Sequence, residues 1–238
     1  MSRALLWTGL VAAIAVPIAA MAESPFTTFE IALRDAYGQY RTALFQSNTG
    51  NADVTTQAMQ ALSDKWAALE GNWTTTPPPQ YADDAGFPAT LTTVGMVIAE
   101  ASQQVASGDL ATAHITLEKI RAEVGDLHIR NGMLTFSDRM NAYHAQMEDV
   151  LGLDLAALGD KAADVLAQDA AVLAYLAEDI AAHPAPEASD PTYAALVDAL
   201  RQSVASVQMA AQAGDLAAVT AAVGQLKPSY ARLFAKFG

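Results

Sequence analysis

Apolar residues recur at three- and four-residue intervals along almost the whole chain, and the two-residue alternation of a half-buried strand is nearly absent. The pattern predicts an all-α protein. Helix A opens on a capping box at Thr27-Thr28-Phe29-Glu30 and runs to about residue 46; helix B follows the turn at 48–51 and reaches about 70. Helix C spans about 90–106, and helix D leaves the Ser107-Gly108-Asp109 turn and ends near Arg130. Helix E begins after Asn131-Gly132. A break between Gly152 and Gly159 precedes helix F, which ends near Ala182. Asp190-Pro191, an N-cap followed by proline, starts helix G, and Ala213-Gly214-Asp215 turns into helix H, which ends with the chain.

Four turn glycines, Gly50, Gly108, Gly159 and Gly214, lie 58, 51 and 55 residues apart. Counted forward from three of them, the same helical face is apolar. Met59, Leu62, Trp66 and Leu69 correspond to Leu117, Ile120, Val124 and Leu127, and to Val223, Leu226, Tyr230 and Leu233. Counted backward, Leu91, Val94, Ile98, Ala101 and Val105 of helix C match Val197, Leu200, Val204, Val207 and Ala211 of helix G. The register predicts tandem antiparallel hairpins, about eight helices, forming one or two four-helix-bundle-like units. The halves are 23–130 (A/B and C/D) and 131–238 (E/F and G/H). The Gly-Asp-Leu-Ala turns resemble those of tetratricopeptide repeats, but the spacing far exceeds that family's ~34 residues. The irregular segment 71–88, with Trp73, Tyr81 and Phe87 along it, reads as a long crossover pinned by its aromatics or as a lid over a bundle end.

The first 22 residues read differently. Arg3 is the sole charge before Glu23, an apolar run follows, and Ala20-Met21-Ala22 has the small residues of a signal-peptidase site. The expected product is cleaved after Ala22 and is periplasmic or secreted. No second run is long enough to span a membrane. The full chain carries 13 Lys+Arg against 26 Asp+Glu, a balance that disfavours nucleic acid. With no cysteine, disulfides, thiolate metal sites, cysteine nucleophiles and covalent c-type haem are all excluded.

Candidate chemistry concentrates in helix E. Met133, Met140 and Met147 recur every seven residues, and His144 lies four after one methionine and three before the next, on the same face. Glu148 follows at i+4. Met140, His144, Met147 and Glu148 are therefore the candidate metal ligands. Thioether and imidazole suit copper(I), and Glu148 in place of the thioethers shifts the set toward copper(II), iron or zinc. The same spacing also describes a buried heptad stripe, with Met at a, Phe136, Tyr143 and Val150 at d, and His144 on the flank. His128 and Asp138 straddle the Gly132 turn and are placed to meet, chiefly as a fixing pair for the hairpin. His114 and His183 are expected to be exposed and unaccompanied. Lys227, Arg232 and Lys236 read as complementing the dipole of helix H.

Phosphate loops, nucleophile elbows, zinc-protease motifs and paired Glu-x-x-His sequences are absent, so no enzyme is expected. The leading expectation is an exported helical protein that carries or senses a transition metal, copper first. The alternatives are a cofactor-free scaffold for an envelope protein partner and a non-covalent haem-binding electron carrier. A helical bundle with Met, His and no C-x-x-C-H resembles periplasmic b-type cytochromes, in which the two residues come from different helices. That resemblance implies Met59 or Met96 as the ligand opposite His144, because Met140 and His144 share a helix.

Overall fold

The structure, a computed structural model, describes residues 23–238, and the expected export segment at 1–22 lies outside the described residues. Among the described residues there are helices and turns but no strands. Helix α1 (Pro25–Asn48) starts before the predicted capping box: Ser24 is the N-cap, its hydroxyl accepts from the Thr27 amide, and Pro25 takes the first turn. Asn51 caps α2 (Ala52–Trp73) and Asp109 caps α4 (Leu110–Arg130), while α3 (Phe87–Ala106) opens on Phe87-Pro88. Among the described helices the capping box belongs instead to α5 (Phe136–Leu151). There Thr135 and Asp138 each accept from the other's backbone amide.

The predicted break after Gly152 contains one short α-helical turn, α6 (Leu155–Leu158), which runs into a 3₁₀ turn at Gly159–Lys161 before α7 (Ala162–Ala182). Helix α8 (Tyr193–Ala213) begins later than expected, with Thr192 at the N-cap position. The Asp190 carboxylate holds the Thr192 amide at 2.8 Å instead of capping the helix directly. Helix H is two helices, α9 (Leu216–Val223) and α10 (Leu226–Phe237). The cause is Pro228, which has no amide proton to give to residue 224 and whose ring would collide with that carbonyl. The chain therefore breaks at Gly224.

Helix α1 packs on α2, α2 on α3, α3 on α4, and α4 back on α1, closing a four-helix ring. A second ring closes through α5, α7, α8 and α10, with α9 folded against α8. The rings meet where α4 touches α5 and α1 touches α10, and one continuous apolar core runs through both. The predicted stripes face that core: Met59, Leu62, Trp66 and Leu69, their counterparts in α4, and all ten matched residues of α3 and α8 are buried. Val223 is only half-buried, because the break at Gly224 takes it off the α10 face. Trp66 is anchored within the core by its indole N–H, which donates to the Leu91 carbonyl at 2.9 Å.

The segment after α2 is a crossover held down by its aromatics. Phe29 is the hub, with ring centres 5.8 Å from Trp73, 5.3 Å from Tyr81 and 5.5 Å from Phe87. The hairpin glycines Gly50, Gly108, Gly159 and Gly214 all have positive φ, a conformation that costs residues with a Cβ and explains their regular recurrence.

Candidate functional site

Helix α5 crosses the seam between the rings and sorts its residues by face. Met140, Tyr143, Met147 and Val150 turn into the second ring and are fully buried or nearly so; both methionines have 0% exposure. His144 and Glu148 stand on the flank, toward α4 and α10. They line a cavity of about 430 Å³ together with His114, Glu118 and Arg121 of α4, Leu44 and Phe45 of α1, and Lys227, Tyr230 and Phe234 of α10. Neither Met140 nor Met147 lines it. The structure thus brings His144 and Glu148 together, with Nε2 3.5 Å from a carboxylate oxygen, and leaves the two thioethers as core packing. Met59 is buried in α2 and Met96 is exposed on α3; neither lines the cavity.

Arg121 organises the site. Its side chain is 10% exposed, its guanidinium lies over Phe234 at 5.0 Å, and Nη1 meets both the Glu118 carboxylate at 3.2 Å and Nδ1 of His144. A guanidinium only donates, so Nδ1 of His144 accepts and the ring's single proton sits on Nε2, toward Glu148. Burial pushes the His144 pKa down to about 3, with the charges of Arg121, Lys227 and His114 adding to it. Burial also works against the charge of Arg121, but the acidic groups around it, Tyr230 and Tyr40 ahead of Glu118, outweigh that and hold its value above the ordinary one. The hydroxyls of Tyr40 and Tyr230 and Nε of Arg121 are buried here without a hydrogen-bond partner.

His114 is not the exposed, unaccompanied residue expected. It is half-buried, with Nδ1 3.1 Å from the Leu44 carbonyl and Nε2 3.8 Å from Glu118. The carbonyl can only accept, so Nδ1 carries a proton, and in the neutral ring Nε2 is the lone-pair nitrogen. His183 is exposed as predicted, but it has company: Nδ1 lies 3.0 Å from Asp179. Lys227 does not complement a helix C-terminus, because the break at Gly224 puts it in the first turn of α10, where it pairs with Glu148 at 3.2 Å.

The signal that locates this cavity was present in the sequence as a repeated four-residue spacing. His114-x-x-x-Glu118 on α4 and His144-x-x-x-Glu148 on α5 are the same motif on adjacent helices. Among the described residues no three of His, Asp and Glu converge closely enough to hold an ion as they stand; in the seam cavity the Arg121 guanidinium bridges His144 and Glu118. His128 and Asp138 meet as anticipated, with Nδ1 2.8 Å from Oδ2 in a buried pair that does not line this cavity. Among the described residues no helix is long and apolar enough to cross a membrane. No protein-family model, no curated protein and no solved structure matches the chain.

Proposed function

We propose that the protein is an exported carrier of a transition metal ion, copper first, taken up in the seam cavity in exchange for the Arg121 guanidinium. The observation that carries this reading is the matched His-x-x-x-Glu pair on two neighbouring helices opening onto one cavity. The acceptors that Arg121 now satisfies, Nδ1 of His144 and the Glu118 carboxylate, are the donors a cation needs, and Nε2 of His114 stands beside them. Glu148 would then hold the His144 ring from behind through Nε2–H, the carboxylate–imidazole–metal arrangement that fixes ring orientation.

A nitrogen and carboxylate set suits copper(II) or zinc over copper(I), and copper(II) leads among divalent ions for such donors. A metal ligand must be deprotonated, and His144 remains so down to about pH 3. The apolar run after Arg3, with its small-residue end, supports export. A cofactor-free scaffold is the second reading, favoured by one observation: Arg121 already neutralises the acceptors from within.

The test is titration of the chain 23–238 with copper(II) and zinc, followed by metal analysis. We expect about one copper per chain, affinity at least tenfold lower in His144→Ala and His114→Ala, and at least tenfold higher in Arg121→Met, which removes the internal competitor. Absence of stoichiometric metal, or affinity indifferent to all three substitutions, overturns the carrier in favour of the scaffold.

A further inference from the structure

The seam cavity has room for more than an ion. Its volume of about 430 Å³ is in the range of small-molecule sites. A metal ion with six waters fills only roughly 180 Å³, at about 30 Å³ per water. Much of the wall is also of no use to an ion. Leu44, Phe45, Ile115, Ala231 and Phe234 line it with hydrocarbon, and Phe45 and Ile115 remain 38% and 67% exposed.

The charges on the wall balance before anything enters. Glu118 pairs with Arg121 at 3.2 Å, and Glu148 pairs with Lys227 at 3.2 Å. Burial keeps the Tyr230 hydroxyl protonated, and the imidazoles of His114 and His144 must be neutral to act as ligands. A divalent ion therefore brings two positive charges that no side chain of the wall offsets, and burying uncompensated charge is costly. Displacing Arg121 from Nδ1 of His144 does not remove its charge, because that side chain is only 10% exposed and lies over Phe234. The donors run short as well. Nδ1 of His144, Nε2 of His114 and the Glu118 carboxylate make three, whereas the tetragonal geometry of copper(II) asks for at least four.

We infer that the cargo is not the bare ion but its complex with a small organic anion, an amino- or hydroxycarboxylate chelate of copper(II) that is neutral overall. The anion supplies the missing donors and cancels the charge of the ion. Its carboxylates face Arg121 and Lys227, and its carbon skeleton covers the apolar wall beside Phe45 and Ile115. This proposal rests on the carrier reading and names what travels with the metal.

The experiment compares copper(II)–iminodiacetate, which is neutral, with copper(II)–diethylenetriamine, which has the same number of chelating atoms and carries two positive charges. Both leave room for an imidazole. The chain 23–238 carries His183→Gln, which removes the exposed histidine as a competing site. Calorimetry at pH 7.5, with each affinity divided by that of the same chelate for free imidazole, should favour copper–iminodiacetate at least tenfold. Electron paramagnetic resonance should show imidazole nitrogen on its copper, and His144→Ala should lose that signal. Lys227→Gln and Arg121→Met should each narrow the preference at least threefold. If Arg121→Met fails to fold, Lys227→Gln decides alone, since that side chain is 55% exposed. Equal affinity for the two chelates, or a preference unmoved by Lys227→Gln, overturns the proposal. When bare copper(II) still binds in that case, the carrier reading stands without it; when neither bare copper nor either chelate binds, both fail.

Discussion

The guanidinium of Arg121, carried by the first helix ring, lies 5.0 Å from the centre of the Phe234 ring, which belongs to the second. This contact and the one to His144 tie the two rings through one side chain, while the contact to Glu118 holds the guanidinium from its own helix. Removing it leaves Glu118 and Nδ1 of His144 without their donor. Arg121→Met should therefore cost about 1–3 kcal/mol of stability by urea unfolding, the cost of orphaned polar groups in a partly wet site. Arg121→Lys should recover little, because an ammonium cannot reach two acceptors and stack on the ring at once. A lysine variant as stable as wild type would show that only the charge matters.

His144 sets a pH dependence of known sign. The unfolded chain takes up a proton near the ordinary histidine value of 6.5, whereas the folded protein holds it off until about 3. Between these limits the unfolded state binds more protons, so stability falls as the solution is acidified, by at most about 1.4 kcal/mol per pH unit from this group. Above pH 6.5 the contribution is flat. His144→Gln removes it, so urea unfolding at pH 7 and pH 4.5 should show a shallower loss in the variant than in wild type. Parallel losses would mean that the imidazole is accessible to protons in the folded state.

The fold was readable because its determinants are local. Turn glycines with positive φ and an apolar face repeated at the same offsets fix the hairpins, and both are visible without knowing which helix meets which. The split of helix H was also readable, since Pro228 denies residue 224 its hydrogen bond, but the apolar period continues through the break and masks it. The site was half legible. His144 and Glu148 stood out, yet the methionines beside them owe their spacing to the core of the second ring. His114, Glu118 and Arg121 belong with His144 only because α4 lies against α5 across the seam, a tertiary fact that helical periodicity does not contain.

Glycine has opposite effects at two exposed positions. Gly108 has φ of +83° with nothing within 4 Å of a would-be Cβ, so Gly108→Ala meets no neighbour and is penalised by backbone conformation alone, about 1–2 kcal/mol. Gly71 lies within α2, also with nothing within 4 Å, so Gly71→Ala should stabilise by about 0.5–1 kcal/mol through better helix propensity. Thermal melts of the two variants should move in opposite directions. A Gly108→Ala melt at or above wild type would mean that the turn relaxes to negative φ at no cost.

Met140 and Met147 separate packing from ligation most directly. Both are fully buried among the core residues of the second ring and neither lines the cavity of His144. Leucine conserves their volume, so Met140→Leu and Met147→Leu should each cost under about 1.5 kcal/mol, with the loss of thioether adaptability the main penalty. Copper affinity of the double variant should stay within twofold of wild type, because the proposed donors are nitrogen and carboxylate oxygen. If the double variant folds normally but loses copper, thioether ligation is restored. The sulfurs must then reach the ion by a rotation of α5 that the present packing, with Tyr143 stacked on Tyr230 at 5.9 Å, does not contain.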